Sequence, residues 1–274
     1  MKIGFIGAGN MGGAIIKGYA GSSAMAESGG DSLFVYDSDL EKTAALSGVG
    51  LPVKTVCSIK ELAGLCDMLI LCVKPNVMDD VLDELTVSGV DITGKLIVSI
   101  AAGISISHIR ENLGPDTKVV RVMPNTPAMV GEGMSAMSAS GGLTESDAEA
   151  AEKIFSAVGR AVWVPEKEMD IVTGISGSSP AYAYLYIEGL VRAGMDGGLT
   201  KEAATILAAQ STLGAAKMVL ETLGVVEPRQ LCINVCSPGG TTIEAVKVLE
   251  ESGFVNTVEK AAKASAAKSK LMTR

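Results

Sequence analysis

Short apolar runs alternate with amphipathic stretches through the first part of the chain. The runs have the length of buried strands and lie at 2–7, 32–37, 67–73, 95–101 and 117–124. Helix-like stretches lie between them at 10–20, 38–47, 58–66 and 105–113. Each stretch begins with an Asn or Ser that can serve as its N-cap. Two further strand candidates, 133–139 and 161–165, flank a helix at 144–158. This alternation predicts a parallel sheet covered by helices.

The strand pattern stops after Pro165. From there the chain is rich in Ala, Leu, Met and Gly at helical spacing, with breaks at 197–200, 224–230 and 236–240. The predicted fold class is therefore α/β, with a Rossmann-type doubly wound sheet over 1–164 and an all-helical domain over 165–274. A helix predicted over 167–196 is apolar nearly all round, which predicts burial against a second copy of the chain. We expect a homodimer, with a larger oligomer left open.

Composition narrows the range of partners. The formal net charge is −8, which argues against a nucleic-acid or anionic-membrane partner because either would need a basic surface. No signal-peptide pattern is visible, and no apolar run approaches the roughly 18 residues of a membrane span. We expect a soluble cytoplasmic protein. The five cysteines lack further Cys or His neighbours, so free thiols and no metal site are expected.

The stretch GAGNMG at 7–12 fits the dinucleotide-binding fingerprint between a strand and a helix. Gly7 permits the tight turn, Gly9 lets a pyrophosphate approach the backbone, and Gly12 lets helix and strand pack closely. The helix N-terminus favours the phosphate charge.

Asp37 ends the second strand, where a carboxylate can bind the adenosine ribose and favour NAD. Ser38 and Lys42 could instead accommodate the 2′-phosphate of NADP. A plain alternative is that Asp37 caps the next helix.

Three further segments follow predicted strands at the edge where doubly wound sheets bind ligands: CVKPN at 72–76, AAG at 101–103 and MPNTPA at 123–128. Small hydroxyl residues at 176–179 precede Pro180, a helix-breaking residue, and indicate packing or a ligand contact. The single histidine, His108, lies on a predicted helix away from these segments and is assigned to structure.

The chain resembles the pyrroline-5-carboxylate reductases. The segments FIGAGNMGGAI, VKP, AAG, MPNTPA, SGSSPAYAY and SPGGTTIEAV occur in the order and spacing of that family, over almost the whole chain. The resemblance implies a Rossmann domain, a helical domain that interlocks in a dimer, and reduction of 1-pyrroline-5-carboxylate to L-proline with NADPH or NADH.

The resemblance also implies site residues. Together with Asp37 and Ser38, the expected cofactor contacts are Ile6, Gly7, Ala8, Gly9, Asn10, Met11, Val73, Lys74, Pro75, Ala101, Ala102, Gly103, Asn125, Thr126 and Asn234. The expected substrate contacts are Glu166, Gly239, Gly240, Thr241 and Thr242, with Asn234 beside the nicotinamide and Thr242 catalytic. Cys232 and Ile233 depart from the family, where a basic residue and an aspartate are common.

The turn at 236–246 can be assigned residue by residue. Thr241 and Glu244 have the spacing of a capping box, which predicts Thr241 as the helix N-cap. Thr242, expected at the first helical position, then offers a free hydroxyl, which the resemblance assigns to the substrate nitrogen. Gly239, Gly240 and the helix start offer N–H groups to a carboxylate. Glu166 either balances an iminium charge or is an ordinary solvated acid.

Other functions fit parts of the same pattern. A β-hydroxyacid dehydrogenase or another imine reductase shares the two-domain plan, but the dehydrogenases carry a catalytic lysine that TGISGSSPAYAYLY lacks. A Rossmann-fold binding protein without catalysis is the alternative from a different class, and retention of the whole SPGGTT turn argues against it.

Overall fold

The computed structural model describes residues 1–48 and 50–274. The chain forms two compact units, which are Met1–Ser178 with Lys263–Arg274, and Ser179–Ala262. The division into domains at residues 164 and 165 stays a prediction.

The first unit is built on a mixed sheet. Within the described residues it has eight strands, β1 Lys2–Ile6, β2 Ser32–Tyr36, β3 Val53–Thr55, β4 Met68–Leu71, β5 Leu96–Ser99, β6 Lys118–Met123, β7 Gly133–Ala139 and β8 Gly159–Trp163. Their order is β3-β2-β1-β4-β5-β6-β7-β8. The order reverses between β1 and β4, and this switch point is where doubly wound sheets bind ligands. The predicted α/β fold class is confirmed.

Helices cover both faces of this sheet. They are α1 Asn10–Ala20, α2 Ser23–Glu27, α3 Leu40–Ser47, α4 Ile59–Leu65, α5 Met78–Val87, α6 Ile106–Leu113, α7 Glu145–Ser156 and α8 Met169–Val172. Alternate strand residues enter opposite cores: Ile70 packs with Phe5 and Ile15, whereas Leu69 packs with Leu62 and Ile97. Burial on both faces explains why the central strands read as continuous apolar runs.

The sheet departs from the predicted all-parallel arrangement at β7, which pairs antiparallel with β6. The connection from Met123 to Gly133 is too short for the crossover that a parallel pair requires. Three elements had no clear signal: α2 has only five residues, β3 has only three, and α5 follows a 3-10 turn over Pro75–Val77.

Two of the four predicted N-caps are confirmed and two are wrong. Ser58 and Ser105 are N-caps as predicted, accepting from the amides of Glu61 and His108. Asn10 is not an N-cap, because Gly9 takes that position. The prediction that Ser38 is an N-cap is wrong as well, because the Asp39 carboxylate caps α3.

The predicted single helix over 167–196 is interrupted. A 3-10 turn over Glu166–Glu168, α8 and a π-helical turn over Thr173–Gly177 precede α9, Ser179–Asp196. The Pro180 nitrogen carries no N–H, so it cannot donate to the carbonyl four residues earlier. The regular helical hydrogen bonding is therefore interrupted before Pro180. The carbonyl four residues before Pro180 is that of Ser176, and it accepts from Asn125 Nδ2 at 3.0 Å. The Ser176 hydroxyl donates to the Val172 carbonyl within the same interrupted stretch.

The second unit is helical, as predicted. It contains α9, α10 Lys201–Glu221, α11 Pro228–Asn234, α12 Thr241–Glu251 and the start of α13 Phe254–Met272. Large apolar side chains on α9 and α10 are more than half exposed, among them Tyr184, Leu185, Ile206 and Leu207. Such surface is typical of helices that associate with another subunit.

Helix α10 corrects the expectation that no apolar run approaches the length of a membrane span. Over the described residues it is the one helix long and apolar enough to cross a membrane, with a mean hydropathy of 1.3. Its charged residues lie mostly at its two ends, so the apolar stretch between them was underestimated from the sequence.

The junction of β7 and β8 gives a test of the fold. Gly159 has φ +147, and a methyl group there would lie 1.9 Å from the Gly133 carbonyl oxygen. We expect Gly159→Ala to lower the free energy of unfolding by about 3 kcal/mol, because both backbone strain and overlap oppose it. Gly141→Ala is the control, since nothing lies within 4 Å of its added methyl group. Equal urea midpoints for the two variants would contradict this account of β8.

Candidate active site

The glycine-rich turn joins β1 to α1 at the switch point of the sheet. Gly7 has φ +103, and a methyl group there would lie 2.9 Å from the Cys72 carbonyl oxygen at the end of β4. A methyl group at Gly12 would lie 2.4 Å from the Gly7 carbonyl oxygen. Both glycines are therefore required by packing, and they bring the first turn of α1 against the ends of β1 and β4.

Packing within the chain does not require a glycine at Gly9. Its φ of −65 and ψ of −171 suit any residue, and a methyl group there would meet nothing within 4 Å. The added carbon would instead project into open space at the start of α1. Gly9 is also the N-cap of α1 and makes no side-chain capping bond, so the first-turn N–H groups stay available. This is the environment that a pyrophosphate needs, so a nicotinamide dinucleotide fits the residues present.

A long groove extends from this turn. Two cavities of about 520 Å³ and 510 Å³ share Gly9, Asn10 and Lys42, and a third of about 170 Å³ lies beside Gly7. The predicted cofactor residues lining these cavities are Ile6, Gly7, Ala8, Gly9, Asn10, Met11, Asp37, Ser38, Val73, Lys74, Pro75, Ala101 and Ala102. The fold thus brings together side chains from four strand ends.

The groove also includes residues that the sequence reasoning missed. Lys17 and Met129 line the same cavity as Asn10. Lys17 lies seven residues after Asn10, a spacing that places both on one face of α1. That periodicity was a usable signal, whereas Met129 reaches the groove from a distant 3-10 turn over Thr126–Val130.

Asp37 has local partners for both of its carboxylate oxygens. Oδ2 accepts from the Ala8 amide at 2.7 Å, and Oδ1 accepts from the Asp39 amide at 2.9 Å. The alternative that Asp37 caps the next helix is wrong, because Asp39 does so. Asp37 instead ties the glycine-rich turn to the end of β2. Lys42 lies 3.3 Å from Asp39 and 3.6 Å from Asp37, and these acids raise the pKa of its amine.

Three other predicted cofactor residues of the first unit lie outside the linings of these three cavities. Asn125 is buried, donates to the Ser176 carbonyl and accepts from the Met134 amide. Thr126 begins the 3-10 turn that follows it. Gly103 faces the Met272 carbonyl, from which an added methyl group would lie 2.9 Å away. Their cofactor roles stay predictions.

Glu166 bridges distant parts of the first unit. Its Oε1 accepts from the Ile106 amide at 2.8 Å and from Arg121 Nη1 at 3.1 Å. Arg121 is only 6% exposed, so the pair neutralises a buried guanidinium. Glu166 is therefore not simply a solvated acid.

The turn before α12 is well defined in the second unit. The Gly240 amide donates to the Ser237 carbonyl at 3.0 Å, and Gly239 has φ +70. Pro238 and Gly239 are the two central residues, so the four residues 237–240 have the arrangement of a type II turn. The Gly240 amide is thus used within the turn and is not free for a ligand, contrary to its predicted role.

The predicted capping box is wrong. Gly240, not Thr241, is the N-cap of α12, and no side chain caps this helix. The Glu244 carboxylate pairs with Lys247 instead. Thr241 and Thr242 therefore occupy the first and second helical positions, and within the described chain neither hydroxyl has a hydrogen-bond partner.

The remaining candidates have simple surroundings. The Asn234 carbonyl accepts from Gln230 at 2.8 Å, which leaves its amide donors available. His108 pairs with Asp79 at 2.7 Å, which agrees with a structural role. All five cysteines are free, and no cluster in the described part of the chain could hold a metal ion. Burial raises the pKa of the Cys72 thiol beside the groove, so that group stays neutral.

The comparisons with known proteins agree with this geometry. The chain is 42% identical to pyrroline-5-carboxylate reductase of Escherichia coli (strain K12) over 253 residues, 92% of this chain and 91% of that protein. The chain belongs to the pyrroline-5-carboxylate reductase family. The family predicted from its motifs is thereby confirmed.

Domain models and solved structures extend this assignment to the whole reductase chain. A model described as pyrroline-5-carboxylate reductase dimerisation matches residues 166–272, and one described as NADP oxidoreductase coenzyme F420-dependent matches 2–103. The reductase from Coxiella burnetii superposes with a TM-score of 0.88 at 35% identity, covering 99% of this chain and 98% of that one. The reductase from Plasmodium falciparum, solved with NADP bound, gives 0.84 at 34% identity, covering 100% and 98%.

Gly9 allows a direct test of the groove in this reductase. We expect Gly9→Ala to raise the Kd for NADPH about 10-fold, because the methyl group overpacks the site without straining the backbone. Gly64→Ala is the control, since its methyl group also meets nothing within 4 Å and Gly64 lies on α4 outside the groove. Isothermal titration calorimetry measures both. Unchanged affinity in Gly9→Ala would show that the dinucleotide does not approach this backbone.

Proposed function

We propose that this chain reduces 1-pyrroline-5-carboxylate to L-proline with NADPH or NADH, the last step of proline biosynthesis. Family membership supports the reaction. One observation supports it from this chain's own residues, and it concerns the starts of two helices, α1 and α12.

Six helices of the described chain have a side chain that accepts from a first-turn amide. These helices, each capped by a Ser, Thr or Asp side chain, are α2, α3, α4, α6, α7 and α10. Helices α5, α8 and α11 also lack a side-chain cap, but their N-cap positions hold Val77, Glu168 and Glu227. By contrast α1 and α12 begin at Gly9 and Gly240, which have no side chain at all over the first-turn amides. Glycine at an N-cap costs only roughly a few tenths of a kcal/mol relative to a polar residue, so both helices leave their first-turn amides open to an anion with little loss of stability. The pyrophosphate would occupy the start of α1, and the substrate carboxylate the start of α12.

The carboxylate is assigned to α12 because its first-turn amides are free. The Thr241 and Thr242 amides face no capping side chain, while the Gly240 amide is held within the turn. The helix dipole adds a favourable field for one negative charge at this position. Gly239 shapes the turn through its positive φ and leaves open space above it.

The chemistry of imine reduction requires few protein groups. The protonated ring nitrogen makes the C=N carbon electrophilic, and the nicotinamide supplies the hydride when the dinucleotide is bound. The electron pair of the C=N bond then moves to nitrogen, leaving the secondary amine of proline. The Thr242 hydroxyl, as the proposed catalytic group, would accept a hydrogen bond from the ring N–H and orient the ring. Asn234, with free amide donors, is retained beside the nicotinamide.

Glu166 is retained as a substrate residue through only one of its carboxylate oxygens. Its Oε1 is already paired with Arg121, and among the described residues Oε2 has no partner. Oε2 is thus the atom that would balance an iminium charge. The Asp37 contacts leave the choice between NADH and NADPH open, because the Lys42 amine lies 3.6 Å from Asp37 and could pair with a 2′-phosphate.

The alternative reactions are less well supported. A hydroxyacid dehydrogenase of this plan would need a lysine within 173–186, and none is present. His108 cannot substitute, since it is bound to Asp79 in the first unit. We further propose a cytoplasmic homodimer with no nucleic-acid or membrane partner. The matched dimerisation domain and the exposed apolar side chains of α9 and α10 support self-association.

The two threonines distinguish a specific hydroxyl from the geometry of the turn. The wild-type protein should oxidise NADPH, followed at 340 nm, when 1-pyrroline-5-carboxylate is added. We expect Thr242→Val to lower kcat by about 10-fold or more with NADPH affinity unchanged, because a hydrogen bond to a charged group is lost. Thr242→Ser should restore most of the rate, and Thr241→Val is the matched control. Wild-type turnover in Thr242→Val, or an equal loss in Thr241→Val, would remove Thr242 from its catalytic role.

A further inference from the structure

The end of α13 returns to the unit that contains the nucleotide groove. The Ser265 and Ser178 hydroxyls lie 2.8 Å apart, and the Ser269 hydroxyl donates to Asp170 at 2.8 Å. Ser269 is 8% exposed, so this part of the helix is packed against α8 and its neighbours. The last residues of the sequence therefore lie against the loop after β5.

Arg274 binds that loop through its main chain. Its amide donates to the Gly103 carbonyl at 2.9 Å, and its carbonyl accepts from the Ser105 amide at 3.1 Å. The two bonds flank Ile104, which is fully buried. Ala101 and Ala102, which line the 510 Å³ cavity, come directly before this segment.

The Arg274 side chain adds a second attachment. Its Nη1 lies 2.7 Å from Asp79 Oδ2, while Asp79 Oδ1 accepts from His108 at 2.7 Å. The hydrogen bond from His108, followed by the charge of Arg274, lowers the pKa of Asp79, so this carboxylate stays ionised at neutral pH. All three side chains are at least partly exposed, so we expect the ion pair to matter less than the two main-chain bonds.

Gly103 is explained by the same contact. It has φ +75, and an added methyl group would lie 2.9 Å from the Met272 carbonyl oxygen. Glu166 holds the other side of the segment through the Ile106 amide. Residues 103–106 are therefore fixed by two parts of the chain that are far away in sequence.

We propose that Arg274 is a positioning residue for the nucleotide groove. Its main chain fixes Gly103–Ser105 and so holds the Ala101–Ala102 wall in place for the dinucleotide. Arg274 itself does not line the groove. This proposal rests on the proposed function, because it takes the groove to be the NADPH site.

A matched pair of substitutions separates the main chain from the side chain. Arg274→Pro removes the N–H that binds Gly103, whereas Arg274→Gln keeps it and removes only the charge. We expect Arg274→Pro to raise the Kd for NADPH about 5-fold to 10-fold, the loss of one hydrogen bond, with kcat at saturating NADPH within about twofold. Arg274→Gln should change the Kd at most about twofold. Lys270→Gln, an exposed charge on the same helix, should change nothing.

Calorimetry without substrate measures the Kd, and hydrogen–deuterium exchange reports on the segment. Faster exchange at Ser105 and Ile106 in Arg274→Pro, together with the raised Kd, supports the proposal. Wild-type affinity in Arg274→Pro overturns it, as does a fall in kcat without a change in Kd. A wild-type protein that binds NADPH but does not reduce the imine contradicts the proposed function while the binding test of Arg274 still stands. Failure of the wild-type protein to bind NADPH contradicts both.

Discussion

The central constraint in this molecule is the unsatisfied amide groups at two helix starts. Every α-helix leaves its first N–H groups without intrahelical partners, and six helices of the described chain meet them with a Ser, Thr or Asp side chain. At α1 and α12 the chain places glycine instead. Leaving them open makes sense when anionic ligands complete the helices, and a dinucleotide and a carboxylated imine are two such ligands.

Other contacts of the first unit fix the backbone that borders the groove, at the start of α1 and after β5. Gly7 and Gly12 allow α1 to approach Cys72 at the end of β4, closer than any side chain would permit. Asp37 binds the Ala8 amide from the neighbouring strand end. Glu166 and Arg274 fix the segment after β5 from two distant parts of the chain. The groove is thus bordered by backbone whose position depends on tertiary contacts.

Local pattern was enough for the parts of the site that depend on backbone geometry. The spacing of Gly7, Gly9 and Gly12 directly predicted the turn, because the positive φ of Gly7 and the approach of Gly12 to the Gly7 carbonyl are local to the motif. The capping box at Thr241 failed because the type II turn at 237–240 starts α12 one residue earlier than that motif implies. Contacts such as Arg121 with Glu166, or Arg274 with Gly103, join segments that share no periodicity. No reading of one sequence could have found them.

Binding of the substrate carboxylate at the start of α12 is the step on which the proposed site depends most directly. The measurement is kcat/KM for 1-pyrroline-5-carboxylate against 1-pyrroline, the same cyclic imine without the carboxylate, at saturating NADPH. We expect 1-pyrroline to be worse by about 100-fold, because two charge-assisted hydrogen bonds from free helix amides are lost. Values within about threefold of each other would contradict the account, since an uncapped helix start that ignores the carboxylate would have no function in this reaction.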